Sequence, residues 1–153
     1  MEPDEDAIEV DVEVRVATTD RDREDAFAVR RRVFVEEQGV DEEIEYDEYE
    51  DESDHFVASD GGEPIGAARL RKYEPGVGKV ERVAVLEPRR EAGVGRALMG
   101  AVERRARDRG LEELKLHSQT RAAGFYRGLG YERVGDEFDE AGIPHVEMRK
   151  LLR

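Results

Sequence analysis

Val80-Glu81-Arg82-Val83-Ala84-Val85, then Leu86-Glu87-Pro88, then Arg90-Glu91-Ala92-Gly93-Val94-Gly95-Arg96 form the stretch from which the chain is read here. The first block is rich in β-branched residues and reads as a strand, closed by the turn signal Leu86-Glu87-Pro88. After the glycines, apolar residues at Val94, Ala97, Leu98, Ala101, Val102 and Ala106 share one helical face, and Gly110 is a natural stop. Gly93 and Gly95 let the backbone approach a ligand, and the unpaired N–H groups of a first helical turn favour an anion. Arg89, Arg90 and Arg96 set three cations beside that turn in an otherwise acidic chain, which points to a phosphate or pyrophosphate. A Walker loop is excluded because Gly-Lys-Ser/Thr is missing. The dinucleotide fingerprint is excluded because Leu98 stands where its third glycine belongs.

Outward from this stretch, the pattern alternates strands and helices. Apolar and charged residues alternate from Ile8 to Val16, the period of a half-buried strand, after a first seven residues that are expected to fray. Thr19 or Asp20 caps a helix that runs to about Gln38 and ends at Gly39. His55 to Ala58 reads as a strand, Asp60 to Glu63 as a hairpin turn, and Pro64 to Tyr73 as the returning strand, with Pro75 to Gly78 turning into the central strand. Beyond Gly110, Leu111 to His117 is a strand and Thr120 to Leu129 a helix. Tyr131 to Val134 and His145 to Leu151 are the last strands, separated by a loop from Gly135 to Pro144. The order is mixed α/β in a single domain, residues 1–153.

Composition bounds the function. At 153 residues and 38% apolar, the chain supports one core. It has no cysteine, hence no disulfide, zinc thiolate or thiol nucleophile. No apolar run is long enough to span a membrane and the N-terminus is acidic, so a cytoplasmic location is the expectation. A net charge of −14 with 42% charged residues argues against nucleic-acid or anionic-membrane partners. Acidity with only four lysines resembles proteins from organisms with molar salt in the cytoplasm, and an acidic protein of an ordinary cell fits as well. Glu36 to Asp54 holds twelve carboxylates and no Lys or Arg, either a solvated loop or a negative wall that collects a cationic acceptor. It lacks the spacing of a calcium loop.

Arg90 through Gly95 reads R-x-x-G-x-G after a strand and before a long amphipathic helix, and it resembles the pyrophosphate motif of the GNAT (Gcn5-related) acetyltransferase superfamily. Arg32 to Gln38, Glu45, Asp47, His55 to Ala58, Ala68-Arg69-Leu70, Glu81 to Val85, Gln119, Phe125-Tyr126, Gly130-Tyr131 and Phe138 through Gly142-Ile143-Pro144-His145 to Met148 are similar to its ElaA-like branch. The likeness spans roughly Arg30 to Met148. It implies a mixed, mostly antiparallel sheet flanked by helices, in which the central strand and the one after the cofactor helix splay apart to admit pantetheine. It further implies acetyl-CoA as cosubstrate and a small-molecule or peptide amine as acceptor, attacked in a ternary complex. The rival is a catalytically inactive acyl-CoA sensor with the same fold, and a homodimer stays open.

The resemblance also suggests roles. Arg90, Glu91, Ala92, Gly93, Val94, Gly95 and Arg96 would form the pyrophosphate loop, with Glu91, where many relatives carry Gly, turned to solvent. Backbone N–H groups of Val83 and Val85, flanking Ala84, would hold the thioester oxygen and pantetheine. Gln119, where many relatives have Asn, would bond the cofactor amides. Tyr126 falls where the family keeps a proton donor to the CoA thiolate, or it is a packing tyrosine. Glu81 is either the general base or an ion-pair partner of Arg82 or Arg69. Gln38, Glu45, Asp47 and His145 are acceptor-side candidates. The histidines, His55, His117 and His145, show no metal-ligand spacing, so no metal is expected.

Overall fold

The structure, a computed structural model, describes residues 12–90 and 92–152, without the side chains at 43 and 44. The expected fraying at residues 1–7, the start of the alternation at Ile8 and the orientation of Glu91 lie outside the described residues.

Strands β1 (Val12–Val16), β2 (Asp54–Asp60), β3 (Glu63–Glu74), β4 (Val77–Val85), β5 (Glu113–Gln119), β6 (Glu132–Glu140) and β7 (Ile143–Leu151) form one sheet in the order β1-β2-β3-β4-β5-β7-β6. Every neighbouring pair is antiparallel except β4 with β5. Helix α1 (Asp20–Arg30) is capped by Thr19, whose hydroxyl accepts from the Asp22 N–H at 3.1 Å. It runs on into wider π-type turns over Arg31–Glu37, where the Gln38 N–H reaches back to the Val33 carbonyl, and stops at Gly39. A one-turn α2 (Glu42–Glu45) follows; α3 (Val94–Asp108) and α4 (Ala123–Gly128) occupy the predicted places.

The helices cover opposite faces. A side chain at Gly66 would meet Leu98 and Val94 of α3, whereas His55, on the other face of β2, packs edge-on against Phe27 of α1 at 5.2 Å between ring centres. Of the predicted α3 stripe Val94, Leu98, Val102 and Ala106 are buried, Ala97 and Ala101 are partly so, and Met99, outside that pattern, is buried as well.

Two departures from regularity shape the middle of the sheet. Pairing of β4 with β5 runs from Val77–Glu113 to Val80–Leu116 and stops, so the strands splay where the family resemblance requires. At that point Arg82 and Val83 together oppose one residue of β3, Ala68, and Arg82 adopts a left-handed φ of 59°. This is a bulge, which bends β4 away from its parallel neighbour.

The expected loop from Gly135 to Pro144 is instead mostly strand. β6 continues to Glu140, a two-residue turn at Ala141-Gly142 with both φ positive closes the hairpin, and β7 starts at Ile143. β6 is an edge strand exposed along nearly its whole length, so it has no apolar alternation to betray it. A register shift between Val134 and Phe138, with Gly135 at φ +83°, absorbs the irregular part.

Candidate active site

A cleft of about 990 Å³ opens between the splayed ends of β4 and β5, a size suited to a small-molecule ligand. At one end lies the glycine loop. Gly93 caps α3 in the left-handed conformation and no side chain satisfies the first helical turn, so its N–H groups point toward the cleft mouth. Arg96 is exposed there and makes no ion pair among the described residues. Arg90 is a strut: its Nε donates to the Val85 carbonyl at 2.8 Å and its terminal nitrogens to both Glu37 oxygens at 2.7 Å. Arg89 turns away to Asp60 and Glu63. Arg121, which sequence reasoning passed over, lines the cleft. Val94 belongs to the core and Ala92 packs against it. A Cβ on Gly95 would lie 3.1 Å from the ring of Phe125, which is 39% exposed and covers the loop.

In the middle, the Val85 carbonyl points into the splay, since Arg90 reaches it from there. In an extended strand the N–H of the same residue points the same way, and that of Val83 with it. Beyond Val80 no strand of the sheet pairs with that edge, and Ala84 between them is buried. Tyr126 lines the same space. Its ring is edge-on to Phe125 at 5.0 Å and to Tyr131 at 5.9 Å, and its hydroxyl makes no hydrogen bond among the described residues. Burial pushes the phenol pKa well above its ordinary value, so the group keeps its proton. Gln119 donates from Nε2 to Gln38 Oε1 at 2.9 Å and accepts from Arg121 at 3.0 Å. The amide expected to serve the cofactor is thus tied to the residue expected on the acceptor side.

The acidic stretch divides: Glu36, Asp41, Glu42, Glu48, Asp51 and Glu52 are exposed, as in a solvated loop, whereas Glu45, Asp47 and Glu50 turn inward onto arginines. Glu45 is buried and accepts from Arg30 Nε and a terminal nitrogen, each at 2.8 Å, and Arg30 also grips Glu50 at 2.7 and 3.0 Å. Asp47 receives two bonds from buried Arg69, at 2.7 and 3.0 Å, and one from Arg82 at 3.2 Å. Burial alone would raise the Asp47 pKa, but Arg69, the Tyr49 N–H and Arg82 hold it down at about 2. Glu45 and Asp47 therefore anchor the loop to the sheet, which corrects their assignment as attracting charges. The signal was the three arginines at 30, 69 and 82, distant in sequence and assembled only by the fold.

Glu81 lies among Arg69 (2.6 Å), Arg71 (2.9 Å) and Lys79 (3.2 Å). Burial opposes its ionisation, yet these cations, Arg69 foremost, bring its pKa to about 2. A carboxylate held that firmly is a weak base, so the geometry favours the ion-pair reading, with Arg69 as the closest partner.

Facing Glu81 across the splay is a group that sequence reasoning did not assemble. His117 Nδ1 is 2.8 Å from Glu140 Oε1, and Phe138 stands edge-on to His117 at 4.9 Å and stacks with His145 at 6.2 Å. The His117 hydrogen bond, against burial, keeps Glu140 below its ordinary pKa. The carboxylate accepts the hydrogen bond from Nδ1–H, and in the neutral ring that tautomer puts the lone pair on Nε2. His145 Nδ1 donates to the Ile143 carbonyl at 2.7 Å, which likewise leaves its Nε2 as acceptor. His117, Glu140 and His145 line the cleft. They meet only because the segment read as a loop is a hairpin.

Residues 16–152 match the family model described as an acetyltransferase (GNAT) domain. The chain is 46% identical over 136 residues to YjcF, an uncharacterized N-acetyltransferase of Bacillus subtilis (strain 168), covering 88% of this chain and 96% of that one. A crystal structure assigned to the N-acetyltransferases, from Lactobacillus plantarum, superposes with a TM-score of 0.87 at 31% identity over 93% of this chain and 99% of the other. Escherichia coli ElaA shares the fold, with a TM-score of 0.77 at 22% identity over 91% and 99%.

Proposed function

The chain belongs to the acetyltransferase (GNAT) family, and from that premise we propose that it moves an acetyl group from acetyl-CoA to an amine in a ternary complex. The observation that carries this reading is the splay between β4 and β5, whose cleft is lined by Tyr126 with a hydroxyl that makes no hydrogen bond among the described residues. The pyrophosphate rests on the first turn of α3 beside Arg96 and Arg121, and pantetheine pairs with the free edge of β4 at Val83 and Val85.

The amine nitrogen attacks the thioester carbonyl, the new C–N bond forms, and the C–S bond breaks. His117, with Glu140 behind it, takes the amine proton, a task for which Glu81 is too weakly basic. Tyr126 donates to the departing sulfur, because a thiolate forming in the same desolvated space is destabilised and draws the proton. Solvent then restores it. Since acetyl-CoA is a cytoplasmic metabolite, a cytoplasmic location goes with this reading.

The rival, an inactive acyl-CoA sensor, is disfavoured by a donor and an acceptor group that both open on the same cleft. Thiol release from acetyl-CoA across a panel of amines separates the two. Saturable turnover with at least one amine is expected, and tight acetyl-CoA binding without turnover on any would establish the sensor.

A further inference from the structure

We infer that the acceptor carries an anionic group about 7 Å from its amine, and that Arg71 and Lys79 bind that group. The inference rests on the acetyltransferase reading and names the substrate class of the same site. Around the inner end of the cleft, five cations, Arg30, Arg69, Arg71, Lys79 and Arg82, face four carboxylates, Glu45, Asp47, Glu50 and Glu81. Three carboxylates of the acidic loop are thereby consumed, and with Glu140, which lines the same cleft and lies within the field of Lys79, the charges balance, so what stays open to a ligand is hydrogen-bond donors.

Those donors are at the cleft surface. Arg30 and Arg69 are buried with their terminal nitrogens bonded to carboxylates. Arg71 differs. Its side chain is only 11% exposed, its Nε donates to Glu81, and its two terminal nitrogens make no hydrogen bond among the described residues while the side chain lines the cleft. The guanidinium lies over the Tyr49 ring at 3.9 Å and within 5.9 Å of Tyr73. A planar fork oriented by a carboxylate and held on an aromatic ring, with open donors, suits a carboxylate or phosphate. Lys79 is its cross-strand partner and lines the same cleft, with its ammonium 3.2 Å from Glu81.

The spacing follows from the sheet. Lys79 pairs with Lys115, so His117 stands two residues further along β5, roughly 7 Å up the strand. An amine delivered to His117 while its anion sits on the Lys79 row must span about that length. An ω-amino acid of five or six carbons, or a dipeptide, does so; an α-amino acid is too short.

The test uses the purified chain and thiol release from acetyl-CoA, with a series of ω-amino acids of two to eight carbons and the matching carboxamides. The ratio of kcat/KM for carboxylate over carboxamide should exceed tenfold and peak at five or six carbons. Arg71→Gln should cut that ratio at least tenfold, chiefly through KM, and Lys79→Gln should lower it too. Because the readout is a ratio, a general loss of activity from disturbing Glu81 does not imitate it, and Lys79→Gln serves if Arg71→Gln does not fold. A wild-type ratio near one, or a ratio that neither variant moves, overturns the anion site and leaves the acetyltransferase reading standing. Calorimetric binding of acetyl-CoA with no turnover on any amine overturns both.

Discussion

Replacing Glu45 by Gln should cost about 3–5 kcal/mol of folding stability, because it breaks a buried ion pair from one side. The Glu45 and Arg30 side chains are each only 1% exposed, and both carboxylate oxygens are used, accepting from Arg30 Nε and a terminal nitrogen at 2.8 Å. Glutamine keeps one acceptor but turns an NH2 donor toward a guanidinium N–H, leaving a buried cation undercompensated beside Arg82, whose Nε is 3.7 Å from the carboxylate. For a domain of this length such a loss lowers Tm by roughly 6–20 °C. Thermal unfolding at constant salt measures it, with Asp51→Asn as the control from the same acidic stretch. The Asp51 side chain is 99% exposed, and its substitution should leave Tm where it was. Equal behaviour of the two variants would refute the pairing of Glu45 with Arg30 as a buried anchor of the stretch. It would also revive Glu45 as a charge available to an acceptor.

Tyr126→Phe should lower kcat by about ten- to a thousandfold with little change in acetyl-CoA affinity; an unchanged rate when chemistry is limiting would make the ring a packing element only. Gly95→Val should abolish the acetyl-CoA-induced thermal shift while the unliganded protein still folds, since the Phe125 ring that the new side chain meets is half-exposed and can turn aside. A full shift in that variant would remove the pyrophosphate from the loop. Asp47 and Glu81 titrate at about 2 in the folded chain and near 4 when unfolded, so the unfolded chain takes up protons first on acidification. Their contribution is complete above about pH 5 and is lost as pH falls toward 2, which urea midpoints across that interval should record as a decline. A rise instead would show that relief of the −14 net charge outweighs these pairs.

The strand, glycine loop and α3 were legible in the residues because each is specified locally. A β-branched run, a positive-φ glycine and a three-four apolar spacing act within a few neighbours, and the structure returns them in place, with β4 beginning only two residues before Lys79. The motifs from Arg30 to Met148 likewise carried the family. What local patterns could not reveal is where charges end up. Twelve carboxylates between Glu36 and Asp54 read as surface, since Arg30, Arg69 and Arg82, which draw three of them inward, come from a helix and two strands that meet only in the folded chain. The β6–β7 hairpin escaped notice for a related reason: an exposed edge strand buries too little to impose a pattern, so its partnership with β7 alone brings Glu140 and Phe138 to His117. Local propensity and periodicity thus determined the elements and the glycine-loop end of the cleft, whereas long-range electrostatics and strand pairing, which depend on distances in space, decided the end lined by Glu81, His117 and Glu140.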